Sequence, residues 1–130
     1  MCLQIVASVP ADAKTRISPD RLSALTKLSV GRSELGGRAA LILSVTGGCS
    51  CEFLSDEAQF DCSEWSLASE HLPALANAVR VLSRECGAFT FVAHWLSGER
   101  PETELRISAA KLSALINQNR LGNNVLYNVR

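Results

Sequence analysis

The sequence has no excess of charge of either sign, since its 130 residues include 13 Lys or Arg and 13 Asp or Glu. General binders of nucleic acid or of membrane surfaces gain much of their affinity from excess positive charge, so this balance argues against both classes. The longest apolar runs are well short of the ~18 to 20 residues that a membrane-spanning helix needs. We therefore expect neither a nucleic acid nor a membrane as the partner.

Recognisable catalytic motifs are also missing. The chain contains no Gly-x-Ser-x-Gly, phosphate-binding glycine loop, dinucleotide fingerprint or His-Glu-x-x-His pattern, each of which would indicate a defined chemistry. It has only two histidines, His71 and His94. A non-catalytic protein is therefore favoured over an enzyme.

The amino-terminal residues and the cysteines indicate a compartment. No Lys or Arg precedes the first apolar stretch, and Gln4 and Ser8 interrupt it, which favours a strand over a signal peptide. The five cysteines are odd in number and have no repeated spacing, unlike the even, denser sets of secreted disulfide frameworks. Reduced thiols in the cytoplasm are the simpler account.

The apolar pattern predicts a single α+β domain over residues 1–130, a length typical of one domain. Ser18 can cap a helix that begins at Pro19. A stripe of apolar residues from Leu72 to Cys86 predicts a longer helix that ends at Gly87, and a further helix follows Ser108. Strand-like runs lie at 3–9, 39–46, 88–96, 103–107 and 125–129. Together they predict a mixed β-sheet with about three helices packed on it.

Residues 16–25 and 106–115 are identical at seven of ten positions, at an offset of 90. Two interpretations are open. One is a pseudo-twofold repeat of two ββαβ halves, 1–46 and 88–130, joined by a connector and helix at 47–87. The other is that both segments share only the sequence pattern of a strand followed by a capped helix, since a secure repeat needs more copies.

The segment Cys49–Glu70, called the acidic connector below, differs from the rest of the chain. No Lys or Arg lies between Arg38 and Arg80, and residues 47–68 form the longest stretch without a clear helix or strand pattern. Long irregular connections in compact domains are often functional or disordered. The candidate binding surface on it consists of Glu52, Asp56, Glu57, Asp61 and Trp65.

The same segment is cysteine-rich, which leaves three alternatives. Cys49, Cys51 and Cys62 could hold zinc or iron with His71 or a carboxylate as the fourth ligand, although Cys-x-Cys is closer than the usual ligand spacing. A reversible Cys49–Cys51 bridge is the second alternative, but acidic neighbours oppose a reactive thiolate. In the third, the cysteines are small buried residues, the acids are solvated, and no cofactor is present. Phe53, Phe60 and Trp65 then hold the connector against the core.

A candidate pocket involves His94, with Trp95 or Tyr127 as a wall. It would support a hydrolase or transferase, the third functional class considered. The alternative is a packed or half-exposed histidine on a strand. The run of amides at 117–124 is better explained as a helix end and a turn that tolerates left-handed residues.

The sequence thus predicts a cytoplasmic, non-catalytic domain that binds a protein partner or a small ligand through the acidic connector. The alternative is a thiol-based metal-binding or redox protein that uses Cys49 and Cys51. Exposed sheet edges invite pairing, so a homodimer is the oligomeric state that we consider.

Overall fold

The structure, a computed structural model, describes residues 3–10, 18–35, 38–45, 50–58, 63–95 and 101–130. Six strands form one mixed sheet in the order β2-β3-β1-β4-β6-β5. They are β1 Leu3–Pro10, β2 Ser29–Leu35, β3 Arg38–Ser44, β4 Phe89–Trp95, β5 Thr103–Ile107 and β6 Val125–Val129. Only β5 and β6 pair in parallel, and the other four neighbouring pairs are antiparallel.

Three α-helices accompany the sheet: α1 Pro19–Thr26, α2 Leu72–Cys86 and α3 Ala109–Asn117. The predicted caps are present, because the hydroxyls of Ser18 and Ser108 accept hydrogen bonds from the third residue on, Arg21 N at 3.2 Å and Lys111 N at 3.1 Å. Helix α2 ends at Gly87, whose φ of 77° suits a residue without Cβ. Within the described residues no helix is both long and apolar enough to cross a membrane.

One face of the sheet forms the core. Along β1, Leu3, Ile5 and Ala7 are fully buried, whereas the residues between them are only half-buried. This alternation follows from the two-residue period of a strand. The buried face joins side chains of all three helices in one apolar cluster, so the described elements belong to a single domain. The helical members include Leu22, Leu75, Leu82, Leu112 and Ile116.

The predicted α+β fold with one mixed sheet and three helices is confirmed. The sequence patterns did not predict β2, because it is an edge strand with a glycine, Gly31, and few apolar residues. The second half has the predicted order, β4-β5-α3-β6, but the described elements of the first half run β1-α1-β2-β3 rather than ββαβ.

The two halves agree in one respect. From the central β1–β4 pair, β3 and β2 extend to one side as β6 and β5 extend to the other. The outer strands run differently, because β2 is antiparallel to β3 and β5 is parallel to β6. Residues 11–17, which precede α1, lie outside the described residues, and the internal repeat stays a prediction.

Candidate functional site

The acidic connector lies at the end of the sheet where β1 begins and β3 ends, and its described parts are more regular than predicted. It contains a 3-10 turn at Ser50–Phe53 and an isolated antiparallel bridge between Leu54 and Leu67. The hydroxyls of Ser55 and Ser66 lie 2.6 Å apart, and Ser55 N donates to Ser66 O at 3.0 Å. Ala68 N also donates to Phe53 O at 2.7 Å. Residues 53–55 and 66–68 therefore run side by side as a short antiparallel pair.

Apolar side chains anchor this pair in the core. Phe53 and Trp65 are at most 1% exposed. The indole Nε1 of Trp65 donates to Ala93 O at 3.0 Å, and its ring meets that of Trp95 edge-on, with centroids 4.9 Å apart. This placement corrects the expectation that Trp65 lines a contact surface. A large apolar ring with one polar atom is best buried where that atom finds an acceptor.

The turn between α3 and β6 holds the connector from a second side. Asn119 Oδ1 accepts from Leu67 N at 2.9 Å, and Asn119 Nδ2 donates to Leu67 O at 3.0 Å. Trp65 N donates to Leu121 O at 2.8 Å. Asn119 has φ 56° and Asn124 has φ 57°, which confirms the turn predicted for the amide run. Sequence reasoning missed the role of Asn119, since nothing local shows that its amide bonds a backbone 52 residues away.

A third set of bonds ties the connector to the central strands. Ser50 Oγ donates to Leu43 O at 2.6 Å, and Cys51 Sγ accepts from Leu3 N at 3.2 Å. Cys51 is half-buried and packs against the core. Each bond satisfies a backbone group near the end of a strand, where regular pairing stops.

On this framework the acids face solvent. Asp56 and Glu57 occupy the tip of a turn that is closed by Ala58 N donating to Ser55 O at 3.2 Å. Glu57 N also donates to Ser55 Oγ at 3.3 Å. Glu52, Asp56 and Glu57 are all exposed. Asp61, the remaining acid of the predicted surface, lies outside the described residues.

The thiol and metal hypotheses depend on residues that are only partly described. Cys49 and Cys62 lie outside the described residues. Over the part of the chain that is described, no group of three or more His, Cys, Asp or Glu could hold a metal ion. His71 packs edge-on against Phe53, with ring centroids 5.9 Å apart, and its Nε2 lies 3.7 Å from Glu70. Both hypotheses stay predictions.

The structure does not bring the three residues of the predicted pocket together. Tyr127 is 3% exposed on the core face, where its Oη accepts from Gly122 N at 2.9 Å and burial raises its pKa. His94 lies on the opposite face, opposite Gln4 of β1. Burial lowers the pKa of His94, and its Nδ1 is buried without a hydrogen-bond partner. A catalytic group built on His94 and Tyr127 together is therefore not formed.

Comparison with protein-family models, with curated proteins and with solved structures finds no match. What the connector can bind is therefore argued from its own side chains. Two adjacent carboxylates on a turn of defined shape can accept charge-assisted hydrogen bonds from lysine or arginine side chains. The acidic turn at Asp56–Glu57 is thus suited to a cationic surface.

Proposed function

We propose that this protein is a non-catalytic, cytoplasmic binding domain that uses the acidic connector to contact a protein partner with a basic surface. The observation that carries the proposal is the turn that presents Asp56 and Glu57 to solvent on a backbone tied to buried anchors. A contact surface that is ordered before binding loses less conformational entropy when the complex forms.

The charge pattern supports the same surface. No Lys or Arg occurs in residues 39–79, so cations reach the connector only from elsewhere in the fold. One does so at Glu64, whose carboxylate lies 3.4 Å from Arg120 Nε. A local excess of negative charge accelerates encounters with cationic partners and makes them sensitive to salt.

The test compares two double variants that remove the same charge. Asp56→Asn with Glu57→Gln neutralises the turn, while Asp20→Asn with Glu102→Gln neutralises exposed acids outside the connector. Affinity capture with each bait is followed by mass spectrometry at low and high salt. We expect a salt-sensitive partner that the wild type and the control retain and the turn variant loses. If the two double variants capture the same proteins, the proposal fails.

Self-association through a sheet edge is the weaker part of the proposal. Both edge strands carry charged residues, Arg32 in β2 and Glu104 and Arg106 in β5, and charges on an edge oppose pairing with a second strand. Sedimentation velocity over a range of protein concentrations decides between a monomer and a dimer.

A further inference from the structure

A cavity of about 340 Å³ lies at the end of the sheet opposite the connector, where β1 ends and β3 and β4 begin. Arg38, Arg106 and Arg130 line it. An adjoining depression of about 310 Å³ shares Arg106 and Arg130 and adds Lys111. Among the side chains that line the two spaces there are four cations and one carboxylate, that of Glu104.

Strand register places polar groups of the cavity side by side. Thr90 pairs with Asn128, and Asn128 pairs with Arg106, so these side chains point to one face of three neighbouring strands. At the far side, Arg38 Nε donates to Ser8 Oγ at 2.9 Å and Arg38 Nη2 donates to Ser8 O at 3.0 Å. These bonds orient the guanidinium and use two of its five N–H donors.

Three of the four cations of this cavity lack an acid partner within the described residues. Arg106, Arg130 and Lys111 are exposed and take part in no ion pair with the described part of the chain. The carboxylate of Glu104 is engaged by Asn128, whose Nδ2 donates to it at 2.6 Å. By contrast, acid partners lie within 4 Å of three other arginines: Arg21, Arg84 and Arg120.

We infer that this cavity binds a small ligand that carries at least two negative charges in phosphate or carboxylate groups. Guanidinium groups match both kinds of oxyanion because their parallel N–H donors can bind two oxygens at once. The volume falls in the lower part of the range of small-molecule sites, about 300 to 1,000 Å³. Four cations on a chain of zero net charge suit such a ligand better than a long polyanion, whose binding gains much of its affinity from a larger excess of positive charge.

Isothermal titration calorimetry at constant ionic strength tests the inference with pyrophosphate and citrate as probes. We expect the wild type to bind at least one of them. Arg106→Gln with Arg130→Gln should weaken that binding about tenfold or more, since each lost charge-assisted hydrogen bond is worth at least that factor. The matched control, Arg21→Gln with Arg84→Gln, removes two exposed arginines that pair with Glu85. It should bind as the wild type does.

A variant that binds the probe more tightly than the wild type serves as a second control, because a misfolded protein would lose affinity. Glu104→Gln removes the cavity's carboxylate but keeps an oxygen that can accept from Asn128. We expect it to bind the probe a few-fold more tightly, because a repulsion between like charges is relieved.

The inference is overturned if neither probe binds the wild type, or if both arginine double variants lose affinity equally. Weaker binding by Glu104→Gln also contradicts it. A duplex DNA that binds more tightly than both probes would replace the small ligand with a nucleic acid. Binding of pyrophosphate alone or of citrate alone supports the site and identifies its chemistry. The acidic turn takes no part in these measurements, so its own test is decided separately.

Discussion

At the end of the sheet where β1 begins, the chain covers the strands with the acidic connector, whereas at the other end arginines surround an open cavity. The connector end is closed by buried rings and by hydrogen bonds to backbone groups, among them those of Trp65 and Asn119. The arginine end is lined by exposed cations, of which Arg106 and Arg130 form no ion pair within the described residues.

This difference separates what stabilises the fold from what is available for binding. Buried polar groups with partners and well-packed rings lower the free energy of the folded state. Clustered like charges raise the free energy of the folded state slightly through their mutual repulsion. Such a cluster is tolerated where a bound ligand of opposite charge offsets that repulsion. If the two ends differ in this way, substitutions at the connector end should lower the free energy of unfolding far more than substitutions at the arginine end.

Trp65→Ala should have the largest effect on stability. It removes a fully buried ring, its contact with Trp95 and its bond to Ala93 O, and such truncations typically cost about 3 to 5 kcal/mol. Chemical denaturation measures the free energy of unfolding. Trp65→Phe is the control, since it keeps a ring and should lose clearly less. Wild-type stability in Trp65→Ala would mean that the connector is not part of the core.

Gly122→Ala should be the next most damaging change. The added Cβ would lie 2.6 Å from Val125 Cγ2 and 2.8 Å from Tyr127 Oη, and overpacking of this kind costs about 1 to 3 kcal/mol. Gly31→Ala is the matched control, because a Cβ there meets nothing within 4 Å. Thermal unfolding of both variants measures the difference, and equal midpoints would contradict the close packing at the α3–β6 turn.

Asn119→Gly tests the amide bonds to Leu67 without straining the backbone, since glycine adopts φ 56° readily. The variant leaves Leu67 N and Leu67 O without their side-chain partner, which should lower the free energy of unfolding by about 1 to 2 kcal/mol. Lys27→Gly changes a residue with the same kind of conformation, φ 59°, at the exposed end of α1. It should be neutral or stabilising. If denaturant midpoints fall equally in both variants, the amide clamp contributes nothing.

Most of the fold could be predicted because its signals are local. The helices after Ser18 and Ser108 begin at a cap that four residues define, and the buried strands β1 and β3 have strongly apolar sequences. Strand β2 could not be predicted in this way. At the sheet's edge little of it is buried, so selection for apolar residues is weak there.

The two binding regions differ in how visible they are from the sequence. The connector's acids are contiguous, and they stand out as a stretch without cations. The cavity's arginines come from β3, from β5 and from the residue after β6, so only the strand order brings Arg38, Arg106 and Arg130 together. For Trp65 the sequence left two assignments open, the contact surface and the core, and its burial with the bond to Ala93 O decides for the core.

Acidification should weaken the fold through His94. Burial lowers the pKa of His94 below its ordinary value of 6.5, so the folded state disfavours the imidazolium. Above pH 6.5 His94 is neutral in both the folded and the unfolded state, and its protonation costs no stability. As the pH falls from there toward the folded-state pKa, the unfolded state binds the proton more readily, and the free energy of unfolding declines. Urea denaturation at pH 7.5 and 5.5 measures the decline. His94→Gln should show a smaller decline in the free energy of unfolding, because the two proteins have all other titrating groups in common. Equal declines in the two proteins would show that His94 is not the group responsible.

Substitutions at the arginine end should change the free energy of unfolding least, and the sign of that change is what distinguishes the two interpretations. Arg106→Gln with Arg130→Gln removes mutually repelling charges and should stabilise the unliganded protein by about 0.5 kcal/mol or less. Arg21→Gln with Arg84→Gln removes two pairings with Glu85 and should destabilise by a similar amount. Added salt should shrink both differences because it screens exposed charges. Thermal unfolding at low and at high ionic strength measures both differences. If both variants are destabilised, the arginines of the cavity stabilise the fold, which would contradict their role in ligand binding.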